Sequence, residues 1–229
     1  MVKTEAICKI YNRKTTTANE FYAVKETDFT LADGKLAVIL GRSGSGKSTF
    51  LNMLAGLLEP SSGKVLIGDT DLYSLQDKER SEFRNRKIGV IPQVHSLLGN
   101  LSVIENVKLP SLLYHPKDDA DAYAEELLEM VGIADLKNVS PSELSGGEMR
   151  RAAIARAMIH KPEVILADEP TSDLDDENSE KIFHLFRQLA DQGTSIVMVT
   201  HETEAVGYAD VAYRMNAGEL KRMESESRR

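Results

Sequence analysis

The sequence predicts an α/β fold built on a parallel β-sheet, and three observations indicate it. A short apolar run, Leu36–Leu40, leads into a glycine-rich loop and then into a segment with helical spacing, which is typical of the first unit of an α/β fold. Two further apolar runs, at 163–167 and 195–200, flank an amphipathic helix predicted over 178–190. Such a strand–helix–strand crossover joins parallel strands. The stretch 97–160 is patterned mostly as helix and is interpreted as an insertion in that core.

The first forty residues are predicted to be β-structure. Strand-like segments at 5–11 and 21–31 flank a polar loop at 12–19, and an Asp-Gly turn signal follows. The five apolar residues after the turn show no alternation, which is typical of a strand buried on both faces of a parallel sheet. The segment 48–58, beyond the glycine-rich loop, has the spacing of a helix.

Helices and charged segments account for much of the remainder. The insertion is predicted to contain helices at 102–113, 118–131 and 148–159. A basic cluster at 78–87 is interpreted as the solvent-exposed face of a helix. The charged tail, 219–229, is predicted to be frayed.

Composition excludes several classes of protein. The 229 residues suit one large domain, and a chain of this length buries enough surface to need no disulfide or metal to fold. The single cysteine, Cys8, cannot form an internal disulfide, which predicts a reducing compartment. With 28 basic and 36 acidic residues the formal charge is −8, so general nucleic-acid binding is not expected. No run approaches the roughly 18–20 apolar residues of a membrane span, and the first residues lack the pattern of a secretory signal.

A glycine-rich run after Leu36–Leu40 matches the phosphate-loop pattern GxxxxGK[ST] in full. Its glycines permit successive N–H groups to point inward around a phosphate, and the start of the following helix adds a positive partial charge. Lys47 is expected to reach the outer phosphates and Ser48 to ligate Mg²⁺. An ordinary glycine-rich turn is the alternative, and the strand before the run and the helix after it argue against that. A nucleoside triphosphate is therefore predicted to bind here, at Gly41, Arg42, Ser43, Gly44, Ser45, Gly46, Lys47, Ser48 and Thr49.

A pair of carboxylates, Asp168 and Glu169, follows the apolar run at 163–167. A buried strand that ends in two carboxylates is costly unless a cation lies beyond it, and beside a phosphate loop that cation is Mg²⁺. Asp168 then fits a water-mediated contact to magnesium, and Glu169 fits a group that polarises the attacking water. Taken alone, such a pair is more often a helix cap, but the phosphate loop favours the magnesium site.

A second glycine-containing helix start lies in the insertion, before a basic and alanine-rich helix. Its residues are Leu144, Ser145, Gly146, Gly147 and Glu148. Two adjacent glycines expose N–H groups to a phosphate and form a second anion site, although a capping serine with a glycine hinge is the plainer alternative. The run resembles the signature sequence of ABC transporters. With the phosphate loop and the run ILADEPTSDLD, it makes the chain similar to the ATP-binding subunits of ABC transporters over residues 7–223.

The resemblance implies a fold and its division. The fold is that of a P-loop NTPase of the ABC ATPase type. In it, a RecA-like parallel-sheet core carries an N-terminal antiparallel β subdomain and an inserted α-helical subdomain. The single domain, 1–229, would then consist of a nucleotide-binding core with the β subdomain, at 1–92 and 162–229, and a helical subdomain at 93–161.

The resemblance also assigns roles to individual residues. Gln93, after a strand predicted at 88–91, matches the glutamine that contacts Mg²⁺ and connects the core to the helical subdomain. Asp175 ends the run TSDLD, which matches the D-loop. His201, after another strand, matches the switch histidine that contacts the γ-phosphate. Tyr11 matches an aromatic residue that stacks on adenine, and Tyr22 competes for that role. The implied cofactors are ATP and Mg²⁺.

The partners of the chain are implied in the same way. Two such chains pair head to tail around two MgATP, so that the 144–148 run of each faces the ATP of the other, and we expect a homodimer. A separate membrane permease would dock in a groove around Gln93 and 95–100. This docking places the chain peripherally on the cytoplasmic face of the inner membrane, with membrane contact through the permease alone.

The resemblance is strongest to free-standing ATPases of the lipoprotein-release and macrolide-export type, which predicts an exporter of lipoprotein, peptide or drug. Glu148 stands in place of the usual glutamine, Ser172 and Asp173 replace Gly-Asn or Gly-Ala, and Glu202 replaces aspartate, but none of these removes a catalytic group. A motor that signals through a permease without transport, as in cell division, is an alternative. Soluble ABC proteins of DNA repair or translation are disfavoured, because the sequence has no long coiled-coil pattern, no zinc-binding cysteines and no second ATPase unit.

Overall fold

The computed structural model describes residues 1–12, 20–94, 97–114, 120–172 and 174–223. Several predicted features lie outside these residues: most of the polar loop at 12–19, part of the docking segment at 95–100, the start of the helix at 118–131, Asp173, and the end of the tail. Within the described ranges, none of the helices has the length and apolarity that crossing a bilayer requires.

The described residues form ten strands and six α-helices. The strands are β1 (Val2–Asn12), β2 (Glu20–Leu31), β3 (Leu36–Leu40), β4 (Ser62–Ile67), β5 (Thr70–Asp71), β6 (Ile88–Ile91), β7 (Val164–Asp168), β8 (Ser195–Thr200), β9 (Val211–Asn216) and β10 (Glu219–Arg222). The helices are α1 (Lys47–Leu54), α2 (Asp77–Lys87), α3 (Val103–Tyr114), α4 (Asp121–Met130), α5 (Gly146–Met158) and α6 (Asp176–Asp191).

The larger of two sheets has six strands in the order β10-β9-β3-β8-β7-β6. The five strands from β9 to β6 pair in parallel, and β10 pairs antiparallel with β9. All residues of β3, β7 and β8 are buried, as expected for apolar strands covered on both faces. Leu40 pairs with Thr200, and Asp168 pairs with Val199, so the carboxyl ends of these three strands meet at one edge. Ligands of α/β sheets bind at such an edge.

The smaller sheet is antiparallel, in the order β2-β1-β4-β5. β1 and β2 pair along most of their length, with register shifts between Thr4 and Ile10. At the end of this ribbon, Tyr11 lies opposite Phe21. The N-terminal antiparallel β-structure that the sequence predicts is therefore confirmed.

Two apolar clusters cover the two faces of the larger sheet. Alternation along β3 divides its residues: Leu36, Val38 and Leu40 belong to one cluster, and Ala37 and Ile39 to the other. The first cluster includes apolar residues of α3, α4, α5 and α6. The second joins the sheet to α1 and to strands of the antiparallel sheet. The predicted insertion thus packs on one face of the core, and the antiparallel sheet lies on the other.

Most predicted elements are confirmed. The strands at 36–40, 88–91 and 195–200 have the predicted bounds, the crossover helix is α6, and the basic cluster is α2, which buries none of its residues. The helix predicted at 48–58 ends earlier, at Leu54, because Gly56 takes φ 66 and ends the helical geometry. The division of the chain at 92/93 and 161/162 stays a prediction.

The prediction of a frayed tail is wrong for its first residues. Glu219–Arg222 form β10, which pairs with β9. The edge of β9 offers unpaired backbone groups to a further strand, and Leu220 packs against the apolar cluster that includes α1. Ala217 and Gly218 make the turn, with φ 45 and 78. Backbone pairing and one apolar side chain therefore outweigh the charged composition.

Candidate functional site

The loop between β3 and α1 borders a cavity of about 760 Å³ at the carboxyl edge of the larger sheet. Its volume lies within the range of about 300–1,000 Å³ typical of small-molecule sites. The lining combines the phosphate loop, the ends of β1 and β2, and the segments after β6, β7 and β8. The lining residues are Tyr11, Phe21, Ala23, Arg42, Ser43, Gly44, Ser45, Gly46, Lys47, Ser48, Thr49, Gln93, Glu169, Ser172 and His201.

Two glycines allow the phosphate loop to pack against its neighbours. Gly46 has φ 107, and a Cβ there would lie 2.2 Å from a carbonyl oxygen of β2. A Cβ on Gly41 would lie 2.6 Å from the carbonyl oxygen of Met215. Both positions therefore require glycine unless the backbone moves. The Gly218 N–H donates to the carbonyl oxygen of Ser45 at 2.9 Å, so the turn between β9 and β10 also fixes the loop.

α1 begins at the cavity, with Lys47 as its first residue. The N-terminus of a helix presents N–H groups without helical partners and the positive end of the helix dipole, which together favour a phosphate. The Lys47 side chain is 6% exposed, and its Nζ donates to the carbonyl oxygen of Gly41 at 2.6 Å. The same Nζ lies 3.5 Å from Oε1 of Glu169. One buried lysine is thus shared between the loop and an acidic group.

Glu169 is the first residue after β7 and lines the cavity. Its backbone takes a left-handed conformation, with φ 48, which is uncommon for a residue other than glycine. Its Oε2 lies 2.9 Å from Nδ1 of His201, and the backbone N–H of His201 donates to the same oxygen at 3.3 Å. The Glu169 side chain is 9% exposed, so a lysine and a histidine contact a buried carboxylate from two sides.

Asp168, the last residue of β7, has the properties of a metal-site residue. Burial raises the pKa of its carboxyl group, and a hydrogen bond with Ser48 opposes this shift. Within the described residues, its Oδ1 oxygen is buried and has no hydrogen-bond partner. A hard divalent cation would satisfy that oxygen and offset the burial of the charge. Gln93 and Asp168 line the same smaller cavity, of about 200 Å³. These residues fit Mg²⁺.

The ends of β1 and β2 place two aromatic side chains at the cavity. Tyr11 and Phe21 lie opposite each other in the sheet, and both line the cavity. Tyr22 is not among the described residues that line it. Successive residues of a strand point to opposite faces, which explains why Phe21 and Ala23 line the cavity and Tyr22 does not. Sequence reasoning missed Phe21, Ala23 and Ser172; alternation along β2 indicates only that the first two share a face.

The residues of the second glycine-containing helix start are not among the described residues that line this cavity. α5 begins at Gly146 with Ser145 as its N-cap, and the Ser145 hydroxyl accepts a hydrogen bond from the Glu148 N–H at 3.3 Å. The Glu148 carboxylate accepts from the Ser145 N–H at 2.7 Å, and this bond lowers the pKa of Glu148. The plainer alternative of a capping serine therefore describes the local geometry correctly.

Asp175 also caps a helix and is not one of the described lining residues. Its Oδ1 accepts from the N–H of Asn178 at 2.8 Å, and this bond lowers the pKa of Asp175.

The cavity thus gathers most of the predicted residues but not those at the starts of α5 and α6. The predicted residues outside it are Gly41 and Asp168, which lie directly behind its wall, and Ser145, Gly146, Gly147, Glu148 and Asp175.

Comparison with known proteins identifies the family. A family model described as ABC transporter matches residues 24–172. The chain is 40% identical, over 96% of its length and 95% of the relative, to the lipoprotein-releasing system ATP-binding protein LolD of Shewanella sp. (strain MR-7). It is 41% identical, over 88% of its length and 87% of the relative, to an uncharacterized ABC transporter ATP-binding protein of Thermotoga maritima.

Two solved structures have the same fold. The first is the dimeric structure of MJ0796, a bacterial ABC transporter cassette, with a TM-score of 0.90 and 32% identity over 98% of this chain and 100% of that one. The second is a post-hydrolysis state of that cassette bound to ADP and Pi, with a TM-score of 0.87 and 31% identity over the same shares of the two chains. The chain therefore belongs to the ABC transporter family and is an ATPase of the ABC type.

Proposed function

We propose that the chain binds MgATP in this cavity and hydrolyses the bond to the γ-phosphate as one half of a head-to-tail pair. One observation carries the proposal: Lys47 and Glu169 meet at the start of α1, with Nζ and Oε1 3.5 Å apart. Phosphoryl transfer to water needs a cation that stabilises the γ-phosphate and a group that orients the water and accepts its proton. These two side chains provide both.

The other cavity residues support the same reaction. The N–H groups of the loop and the Lys47 ammonium group hold the outer phosphates and stabilise the charge that develops on them. Glu169 orients a water molecule in line with the γ-phosphorus and accepts its proton as the bond to the leaving oxygen breaks. His201, hydrogen-bonded to Glu169, contacts the γ-phosphate from the other side. Tyr11 stacks on the adenine ring, which Phe21 also borders.

Three residues are proposed to hold magnesium. Ser48, Gln93 and Asp168 offer a hydroxyl, an amide and a carboxylate oxygen, and the buried Oδ1 of Asp168 supports this assignment. When bound, Mg²⁺ neutralises part of the phosphate charge. The Asp168 carboxylate, hydrogen-bonded to Ser48, keeps that hydroxyl at the end of the phosphate loop.

The second half of each site is proposed to come from a second copy of the chain. The start of α5 presents N–H groups and a positive dipole end, as phosphate sites do. Both solved structures of the relative MJ0796 are described as dimeric. In the proposed homodimer, Ser145, Gly146, Gly147 and Glu148 face the ATP held by the partner, with Asp175 nearby. ATP then holds the pair closed, and hydrolysis releases it.

Ser145→Arg is expected to slow hydrolysis by about a hundredfold or more while the affinity of one chain for ATP stays unchanged. The arginine would obstruct the start of α5, where the ATP of the partner is proposed to bind. The cavity of the same chain does not use Ser145. Steady-state ATPase assays and titration with a fluorescent ATP analogue measure the two quantities.

Ser102→Arg is the matched control for this variant. Ser102 makes the same reciprocal bonds with Glu105 at the start of α3. The Ser102 N–H donates to the Glu105 carboxylate at 2.7 Å, and the Glu105 N–H donates to the Ser102 hydroxyl at 3.4 Å. Loss of such a cap alone costs about 1 kcal/mol of stability and is not expected to affect hydrolysis. Normal turnover in Ser145→Arg would contradict a site shared between two chains.

We propose further that this ATPase drives a separate membrane permease of an export system, from the cytoplasmic face of the inner membrane. Support comes from relatives of about 40% identity that are named as ATP-binding proteins of a lipoprotein-releasing system. Opening and closing of the ATPase pair would be transmitted to the permease. The cargo class proposed is a lipoprotein, a peptide or a drug.

A groove of about 300 Å³ between α2, β6, α3 and the end of α5 is the proposed docking site of the permease. It includes the exposed apolar side chains of Leu57 and Leu113 and the guanidinium groups of Arg84 and Arg156. A cytoplasmic permease helix with apolar and acidic residues matches this surface. The groove adjoins β6, the strand that leads to Gln93, but neither Gln93 nor the described part of 95–100 lines it, so the docking region expected from sequence stays a separate prediction.

Leu113→Glu is expected to reduce by about tenfold the amount of permease that copurifies with the tagged chain from its native membranes in mild detergent. The new carboxylate would face the apolar and acidic side chains of the permease helix, which weakens binding. A loss of about 1.4 kcal/mol of binding free energy lowers the affinity tenfold. Leu112→Glu is the control, because Leu112 is also exposed on the same helix, at 52% against 65% for Leu113, and is not among the described residues of the groove. Equal copurification with both variants would argue against this docking site.

A further inference from the structure

Arg150 is a fully buried arginine that the mechanism above does not use. It lies on α5, a little over one turn after Ser145, and its exposed fraction is 0%. Removing a guanidinium group from water is costly, so hydrogen bonds must compensate for its burial. The groups that accept those bonds show which segments α5 holds.

The guanidinium group joins α5 to two loops at the functional edge of the larger sheet. Nη1 donates to the carbonyl oxygen of Pro92 at 2.6 Å, and Nη2 donates to that of Gln93 at 2.7 Å. Nη2 also lies 3.4 Å from the hydroxyl oxygen of Ser172, in the loop after β7. Two short bonds from one planar group to consecutive carbonyls fix the orientation of a loop as well as its position.

Both of these loops supply side chains to the nucleotide cavity. Gln93 and Ser172 line it, whereas Arg150 is not among its described lining residues. Ser172 is bonded in turn to the residue proposed to orient the water: its hydroxyl donates to the carbonyl oxygen of Glu169 at 3.2 Å, and its N–H donates to the same oxygen at 3.4 Å. The hydrogen bonds described for Arg150 therefore reach the reacting groups through other residues, and its positive charge in addition opposes the rise in the pKa of Asp168.

We propose that Arg150 is a positioning residue for hydrolysis, which holds Gln93 and the turn at Glu169 in a fixed relation to α5. The inference rests on the proposed hydrolytic function. Because α5 starts at the residues proposed to face the ATP of the partner, Arg150 links the two nucleotide sites through one chain. A purely structural arginine would instead stabilise the fold and leave the turnover of folded protein unchanged.

Arg150→Met tests the proposal in ATPase assays on the full chain. The variant removes every donor and keeps an unbranched side chain. We expect kcat per folded molecule to fall about 10- to 100-fold, because small displacements of reacting groups have effects of that size, while Kd for ATP stays within about threefold. Arg150→Lys keeps the charge but not the planar fork, and its kcat is expected to lie between those of Arg150→Met and the wild type.

Arg187→Met is the matched control. Arg187 also ties separate segments together, through the carbonyl oxygen of Tyr208 at 3.2 Å and the carboxylate of Asp210 at 2.7 Å, and it is not a described lining residue. Its loss is expected to lower the melting temperature and to leave kcat within about twofold of the wild type. An equal loss of kcat in the two arginine variants overturns the proposal, and so does a normal kcat in Arg150→Met.

Ser172→Ala tests the connection from a different side. We expect it to lower kcat about 3- to 10-fold and to add no further loss to Arg150→Met, because both changes interrupt one connection. Additive losses overturn the route through Ser172. If Arg150→Met does not fold, Arg150→Lys and Ser172→Ala decide, and a kcat within about twofold of the wild type in both overturns the proposal. Failure of the proposed hydrolytic function gives a different result from failure of the Arg150 proposal: the wild type does not hydrolyse ATP, or Glu169→Gln hydrolyses it normally.

Discussion

Glu169→Gln is expected to slow ATP hydrolysis by about a thousandfold while ATP remains bound. Glutamine has almost the same shape as glutamate and can still contact Lys47, but it cannot accept the proton of the attacking water. The variant also removes a negative charge 3.5 Å from the lysine that is proposed to hold the γ-phosphate, so ATP affinity is expected to be kept or increased. Bound but unhydrolysed ATP should then hold two chains together.

Size-exclusion chromatography with light scattering measures this second effect. With MgATP the Glu169→Gln variant should elute at twice the 25.3 kDa of one chain, and without nucleotide as the single chain. Glu163→Gln is the control. Glu163 directly precedes β7, at the end of the strand opposite to Glu169, and its side chain is 53% exposed. Turnover close to that of the wild type in Glu169→Gln would show that another group accepts the proton.

Lys47→Ala is expected to weaken ATP binding by about a hundredfold. A buried, charge-assisted hydrogen bond to the phosphates contributes about 1.5–3 kcal/mol, and a lysine that bonds two phosphates contributes at the upper end of that range. The change also leaves the Glu169 carboxylate without its buried cation, directly beside the phosphate position, which repels the nucleotide further. Both effects act in the same direction.

Titration with a fluorescent ATP analogue in the presence of Mg²⁺ measures the loss. Lys35→Ala is the matched control, because Lys35 precedes β3 whereas Lys47 follows it. The Nζ of Lys35 lies 3.2 Å from the carboxylate of Asp210, and neither residue is among the described residues that line the cavity. Thermal melting of both variants separates lost binding from lost folding. Wild-type affinity in Lys47→Ala would contradict the phosphate-loop assignment.

The sequence was sufficient to predict that Lys47, Glu169 and His201 come together, for a geometrical reason. Glu169 and His201 each follow directly after an apolar strand, and Lys47 follows β3 by the length of one loop. Parallel strands in register end at the same edge, so residues just beyond their carboxyl ends come together whatever the intervening chain does. The local sequence pattern and one rule of sheet topology therefore predict that all three residues lie at the carboxyl edge of the sheet.

Other features depend on contacts between distant segments. Which of Tyr11 and Tyr22 lines the cavity depends on the side of the β1–β2 ribbon that approaches the loop, and that requires the register of the strands. β10 forms because β9 offers it an edge, which a charged local sequence does not indicate. Arg150 reads as one more cation of a basic helix, and only the packing of α5 against two loops shows it to be buried.

The contact between Gly218 and Ser45 has a consequence for the growing polypeptide. The phosphate loop contacts the turn between β9 and β10 and lies close to the backbone of Met215, and both are synthesised long after the loop itself. A chain on the ribosome lacks both contacts until these residues have been made, and we expect its GRSGSGKS run to bind ATP more weakly until then. We then expect ATP binding to stabilise molecules in which the hairpin of β9 and β10 has already folded against β3.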